Sequence, residues 1–297
     1  MDKMHIDEVD TDSSLVARLL AAQFPQWADL PIKPILSAGT NHAIYRLGSD
    51  MAVRLPLIEE AIEQMDKESR WLPRLAPHLP LAIPVPLALG APGEGYPLRW
   101  SVYRWLEGEN AESQRIVEEG QAALDLAHFI TALQQIDAVN CPPPGPPISS
   151  RGVPLSTRDA PVRAAIAELS GVLDTDAVTA VWDAALQIPE WHGLPVWTHG
   201  DLLPGNLLVQ QGRISAVIDF GVLGVGDPAC DLIVAWSLLS THTRSIFRTA
   251  LSVDNATWER GRGWALSIGL IALPYYQSTN PVFAATARHM IDEVLAD

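Results

Sequence analysis

Apolar residues recur at two different periods along this chain, and the change of period divides it. Leu15, Leu19 and Ala22 share one helical face within residues 11–24, behind Asp and Ser residues able to cap. Residues 35–48 read as strand, small-residue turn and strand. Met51, Val53 and Leu55 then alternate with Ala52 and Arg54 in a short strand that ends at Pro56. Helical spacing returns over 59–72, where Ala61, Met65, Glu68 and Leu72 share a face, and Pro73 is expected to end the helix. Glu68 is therefore a carboxylate on an apolar stripe and needs a cationic partner. Glu59, Glu60, Glu63 and Lys67 read as the solvated side.

Residues 73–97 are rich in Pro and Gly and predict loops with short strands. Residues 98–106 alternate as a strand, and Glu107-Gly108 breaks it. Beyond this point the helical period dominates. Helices are predicted over 111–138, 161–173 and 176–186, then over 233–239, 244–251, 257–271 and 281–295. A stiff Pro-rich spacer, 141–147, separates the first of these from the second. The expected architecture is α+β: a small N-terminal lobe with an antiparallel sheet (1–105) and a larger, mainly helical C-terminal lobe (106–297).

Composition narrows the function. At 297 residues with 48% hydrophobic content the chain can bury one large core or two. A formal net charge of −15 argues against nucleic acid or an anionic membrane as partner, because phosphates are bound through Lys and Arg. Cys141 and Cys230 have neither disulfide-framework nor metal-site spacing. No apolar run reaches the ~18 residues of a membrane span. With a polar, acidic N-terminus, these features predict a cytoplasmic protein. Ten Trp residues are unusual at 7% aromatic content, and some are candidates to line a pocket.

The chemistry concentrates between Trp197 and Asp231. Residues 206–210 and 213–219 read as two strands with Gln211-Gly212 at the turn. Antiparallel pairing about that turn returns Asn206 to within a residue or two of Asp219, and Asp201 sits on the loop just before. Hard oxygen ligands at the open end of a hairpin suit Mg²⁺, which uses few protein groups together with substrate phosphates. Asp219, after Ala216-Val217-Ile218, is expected to be a buried carboxylate that needs a cation. An Asp, an Asn five residues later and an Asp-Phe-Gly after a strand repeat the order of a kinase catalytic loop and metal-binding segment.

The segments H-G-D-x-x-P-x-N (199–206), I-D-F-G (218–221) and G-D-P-x-x-D-L (226–232) together resemble the aminoglycoside phosphotransferase family, small-molecule kinases of protein-kinase-like bilobal fold. The resemblance implies Asp201 as catalytic base for the acceptor hydroxyl and Asn206 and Asp219 as Mg²⁺ ligands. It implies ATP or GTP as co-substrate. Gly39, Thr40 and Asn41 would belong to the hairpin over the triphosphate. Ala52 would floor the adenine site, and the backbone from Arg104 to Leu106 would meet the adenine edge. Arg54 stands where the strand motif V-A-I-K has Lys, with Glu68 as its ion-pair partner; a guanidinium keeps the charge but differs in shape and hydration. His199 reads as a packing residue and Asp231 as a brace for the catalytic loop. The resemblance makes the partner a small molecule with a hydroxyl group.

The acceptor is open at this stage. Candidate walls and anchors are Asp227, Trp236, Trp264 and Tyr275, with Trp258, Tyr276 and Asp254 beside them. An aminoglycoside or related antibiotic is one acceptor class; macrolide, choline, homoserine or methylthioribose-like compounds form another. A non-catalytic nucleotide-binding pseudokinase and a metal-dependent hydrolase are the rival classes.

Overall fold

The fold was obtained as a computed structural model, which describes residues 9–35, 41–111, 116–139, 141 and 151–297. By the density of its internal contacts the chain divides into two compact units, residues 1–77 with 82–107 and residues 78–81 with 108–297.

The first unit begins with α1 (Ser13–Gln23), capped by Asp12, whose carboxylate accepts from Leu15 N at 2.6 Å. Five strands follow: β1 (Ile32–Ile35), β2 (His42–Leu47), β3 (Met51–Pro56), β4 (Pro86–Gly90) and β5 (Trp100–Arg104). They form one antiparallel sheet in the order β1-β2-β3-β5-β4. Val53 and Leu55 are fully buried and join Leu19, Leu20, Leu47 and Trp100 in the core of this unit.

Between β3 and β4 lies α2 (Glu60–Leu75). Pro73 does not end it, contrary to expectation. The ring sits in the last turn, where the chain loses one amide donor but the cap N–H of Ala76 still reaches Leu72 O. Lys67 is buried rather than solvated, while Glu68 faces inward as the apolar stripe requires.

The second unit holds two small ladders. β6 (Glu109–Asn110), β8 (Leu207–Gln210) and β9 (Arg213–Val217) form one, ordered β6-β8-β9; β7 (Val196–Thr198) and β10 (Gly224–Gly226) pair antiparallel as the other. Helices make up most of the rest: α3 (Glu119–Gln135), α4 (Asp159–Glu168), α5 (Thr175–Leu186), α6 (Val234–Ser237), α7 (Thr241–Leu251), α8 (Asn255–Tyr276) and α9 (Pro281–Ala296). Short 3₁₀ turns precede α4 (Leu155–Arg158) and α6 (Pro228–Ile233). α8 is buried over most of its length and packs on α9 and on the 3₁₀ turn 228–233. Five of the ten Trp residues, among them Trp236 and Trp264, are fully buried packing groups. Among the described residues no helix is long and apolar enough to cross a membrane. Cys141 and Cys230 are not joined by a disulfide.

Candidate active site

The second unit places the Trp197–Asp231 segment by tying down both its ends. β7 delivers the chain into His199-Gly200-Asp201, and β10 receives it after Gly221; Val225 pairs with Trp197. Within the segment, β8 and β9 meet through a turn in which Gln211 (φ 52°) and Gly212 (φ 79°) are both left-handed, the twist a two-residue hairpin needs. The strands are shorter than the sequence suggests. Asn206 ends a 3₁₀ turn (Pro204–Asn206) just ahead of β8, and Ile218 and Asp219 lie just past β9. One further hydrogen bond, Ile218 N to Asn206 O at 2.8 Å, brings the two ends of the hairpin together.

Asn206 is held by Asp201, its neighbour in the same loop. Its Nδ2 donates to the main-chain oxygen of Asp201 and to Asp201 Oδ2, both at 2.9 Å. This fixes the carboxamide so that Oδ1, which accepts no hydrogen bond among the described residues, is the lone-pair atom left over. From β6, Asn110 Nδ2 donates to Gly205 O, and Ala111 N reaches Leu207 O at 2.8 Å. The loop is thereby anchored from two sides.

Asp219 differs from expectation. It is exposed rather than buried, because its left-handed backbone (φ 61°) turns the side chain out of the hairpin end. One oxygen accepts from Gly221 N at 3.3 Å, and among the described residues no Lys, Arg or His lies within ion-pair distance. The argument from a costly buried carboxylate therefore fails. What remains is an Asp in a backbone conformation that favours Gly, with an oxygen left for another partner.

Asp201 is intermediate, with 26% of its side chain exposed. Burial pushes its carboxyl above the usual carboxylate range; Arg151 opposes this, Asp219 adds to it, and the Asn206 hydrogen bond opposes it again. Arg151 Nη2 lies 3.5 Å from Asp201 Oδ1. Gly200 is required locally: its φ is +82°, and a Cβ there would come within 2.8 Å of Arg151 Cγ. The buried Asp231 carboxylate accepts from His199 N at 2.9 Å and Gly200 N at 2.6 Å. His199 Nε2 donates to Ile218 O at 3.1 Å while Nδ1 accepts from Asp201 N at 3.2 Å. The ring is thus the neutral Nε2–H tautomer, assigned from these partners, and it packs edge-on to Phe220. It bridges the 199–206 loop to the Asp-Phe-Gly segment.

In the first unit, Arg54 on β3 and Glu68 on α2 form an ion pair at 2.6 Å, with Glu68 almost fully buried. Tyr103, across the sheet on β5, donates its hydroxyl to the same Glu68 oxygen at 2.9 Å. Arg54 Nη2 also donates to His42 Nδ1 at 3.2 Å. Burial, with Arg54 beside it, lowers the His42 pKa from 6.5 to about 2, so the imidazole is neutral. Ala52 is buried opposite Tyr103. The amides of Arg104 and Trp105 are bonded to Val85 O and Asp50 O, and among the described residues that of Leu106 has no backbone acceptor. Gly39 and Thr40 lie outside the described residues.

A family model described as "APH: Phosphotransferase enzyme family" matches residues 31–264. The chain belongs to this APH phosphotransferase family. An aminoglycoside 3'-phosphotransferase of Escherichia coli is 33% identical over 86 residues, which is 26% of this chain and 32% of that protein. A second one, also from Escherichia coli, is 27% identical over 133 residues, 43% of this chain and 48% of that protein. The matched stretches thus span half or less of these curated relatives. The GDP and kanamycin complex of APH(2")-IIia superposes with a TM-score of 0.73 at 17% identity, covering 95% of this chain and 98% of that one. A macrolide 2'-phosphotransferase from Brachybacterium faecium gives 0.63 at 22% identity, with 95% and 98% covered. At these identities the likeness establishes the fold: a kinase-like APH architecture of small antiparallel sheet and larger helical part.

Several acceptor candidates are corrected within this APH fold. Asp227 is buried, caps the 3₁₀ turn 228–233 and receives Arg260 at 2.7 and 3.2 Å, so its carboxylate is not presented to a ligand. Trp236 is fully buried, packs on Trp258 and donates to Asp297 Oδ2. Trp264 is fully buried as well and so forms no open wall. Asp254 caps α8 through Thr257 N at 2.6 Å. Among the aromatic candidates Trp236, Trp264 and Tyr275, Tyr275 is the accessible one, 66% exposed. Arg151, Arg158, Tyr103 and His42 went unassigned in the sequence; each owes its place to a partner more than ten residues away.

Proposed function

We propose that the protein transfers the γ-phosphate of ATP or GTP to a hydroxyl group of a small molecule. The observation that carries this reading is the catalytic loop: Asp201 and Asn206 locked together, with Asp219 brought alongside by the hairpin closure at Ile218. Asp201 orients the acceptor hydroxyl and takes its proton. Its lifted pKa suits a base more than a plain surface carboxylate would, and such a base contributes about 10² to 10⁴ in rate.

The donor set fits Mg²⁺. Asn206 Oδ1 and the Asp219 carboxylate are hard oxygens without competing cations, and a site this sparse matches an ion that keeps its waters and leans on phosphates. Among the described residues no cluster of three or more His, Cys, Asp or Glu side chains competes as a metal site. Mg²⁺, when bound, neutralises charge on the transferring phosphate. Arg54, oriented by Glu68, binds phosphate oxygens as the usual Lys would, and the Asn41 side chain contributes a further donor. Ala52 and the Leu106 amide belong to the base site. Residues 1–105 supply nucleotide binding and 106–297 supply catalysis and acceptor binding. The setting that suits this chemistry is the cytoplasm.

Relatives named for aminoglycosides and macrolides make those antibiotics the first acceptors to try, with hydroxylated metabolites as the second group. The test is purified protein with Mg²⁺ and ATP or GTP against such a panel, read by mass gain of one phosphate. Asp201→Asn is expected to lower transfer by at least about a hundredfold while nucleotide still binds. Transfer by the variant at the wild-type rate would remove Asp201 from its role.

A further inference from the structure

We infer that His42 is a positioning residue: its imidazole sets the plane of the Arg54 guanidinium for the phosphates of the nucleotide. This rests on the reading of Arg54 as the phosphate-binding cation.

An ammonium and a guanidinium make different demands on their surroundings. The donors of a Lys rotate about its last bond, so one carboxylate beside them is enough to place the charge. A guanidinium is a rigid plane, and it matches phosphate along an edge of that plane. An ion pair on one arm lets the plane swing about that anchor. A second contact on the other arm stops it.

Arg54 is clamped on both arms. Nη1 donates to Glu68 Oε2 at 2.6 Å, and Nη2 donates to His42 Nδ1 at 3.2 Å. Glu68 is itself placed by the Tyr103 hydroxyl at 2.9 Å, and the guanidinium carbon lies 6.0 Å from the centre of the Tyr103 ring. The sheet register supplies the second clamp. Ile44 on β2 stands opposite Arg54 on β3, so His42, two residues earlier on the same face, is the diagonal neighbour of Arg54. Of the Arg54 side chain 17% stays exposed, whereas His42 and Glu68 are buried, so the clamps lie deeper than the group they hold.

The imidazole also does what a second acid would not. Glu68 already offsets the Arg54 charge once, and another carboxylate at position 42 would cancel the attraction that phosphate needs. Nδ1 accepts a hydrogen bond without carrying charge. Burial, with Arg54 beside it, keeps this ring neutral throughout the neutral pH range. His42 therefore orients the cation and leaves its charge intact.

The test is a double-substitution cycle on the intact protein. Affinity is measured by calorimetry for the Mg²⁺ complexes of non-hydrolysable ATP and GTP analogues, with urea unfolding of every variant alongside. His42→Leu, which removes the acceptor, is expected to weaken binding about tenfold; His42→Ala serves if that variant fails to fold. His42→Asn keeps a neutral acceptor near the place of Nδ1 and should stay within about threefold of wild type. His42→Asp has the same shape with a charge added, and should bind at least about tenfold more weakly than His42→Asn. In the Arg54→Lys background, where no plane needs setting, His42→Leu should change affinity by less than about twofold. If the ring served packing alone, its removal would cost the same factor in both backgrounds. Should Arg54→Lys bind too weakly to measure, the comparison of His42→Asn with His42→Asp decides.

The inference is overturned if His42→Leu leaves affinity unchanged, if His42→Asn and His42→Asp bind alike, or if the two effects simply add. Failure of the underlying reading looks different: Arg54→Gln then binds both analogues as tightly as wild type, or neither analogue binds the wild type at all.

Discussion

The two units each carry a polar cluster, and the clusters are built on opposite plans. In the first unit Arg54, Glu68, Tyr103 and His42 bond to one another inside the fold, with Glu68 about 1% exposed and only the His42 Nε2–H left without an acceptor among these four. In the second, the Asn206 carboxamide and the Asp219 carboxylate each keep an oxygen without a hydrogen-bond donor among the described residues, and Asp219 faces solvent on a left-handed backbone. A buried charged network resists being moved because breaking it strands a buried charge. An open one has ligand atoms to give. The contrast teaches that removing a residue from the first cluster should be felt in stability, whatever it also does to phosphate binding, and removing one from the second in binding and catalysis with little loss of stability.

The largest expected effect separates the two plans directly. Arg54→Ala leaves the Glu68 carboxylate buried without its cation and should cost about 3 kcal/mol of unfolding free energy, measured by urea denaturation. Asp219→Asn keeps a residue that tolerates the left-handed backbone, so stability should change by no more than about 0.5 kcal/mol. Its Mg²⁺-dependent affinity for nucleotide should fall by at least about tenfold, read by calorimetry. Equal destabilisation by the two variants would erase the contrast.

Gly200→Ala should show an intermediate effect inside the second unit. The new Cβ meets Arg151 side-chain atoms at about 2.8 Å and sits on a positive φ. A loss of about 2 kcal/mol is expected by thermal or urea unfolding, together with reduced transfer because Arg151 is displaced from Asp201. A variant as stable as wild type would mean that the loop adjusts freely.

The smallest effect is a pH dependence confined to the first cluster. His42 is held neutral down to about pH 2, whereas the unfolded chain takes up that proton near pH 6.5. Above pH 6.5 it therefore costs nothing, and stability declines as pH falls from there, by at most about 1.4 kcal/mol per unit. His42→Gln should flatten the slope of unfolding free energy between pH 7 and pH 5. An unchanged slope would place the acid sensitivity in other groups.

Some of this was legible in the residue order. The hairpin 207–217 follows from its apolar strands and Gln211-Gly212, and the helices of the second unit from their 3.6-residue period. Helix ends, in both units, were not, because Pro73 and Pro274 each sit inside a helix that packing carries past them. The exposure of Asp219 was misjudged since a run of apolar neighbours does not report the sign of φ at the residue that follows. Asp227 looked like an open acid until the fold supplied Arg260 from α8, thirty-three positions along the chain.

By itself the sequence determined the periods of its elements, the two-residue turn and the order in which Asp201, Asn206 and Asp219 occur, since each depends on neighbours within a few residues. Only the tertiary structure decided which charges cancel. Asp227 and Glu68 were given cations, while Arg158 was left without an anion among the described residues. The reason is physical: burial and ion pairing are set by groups far apart in the chain, and their energies depend on distances that no local pattern encodes.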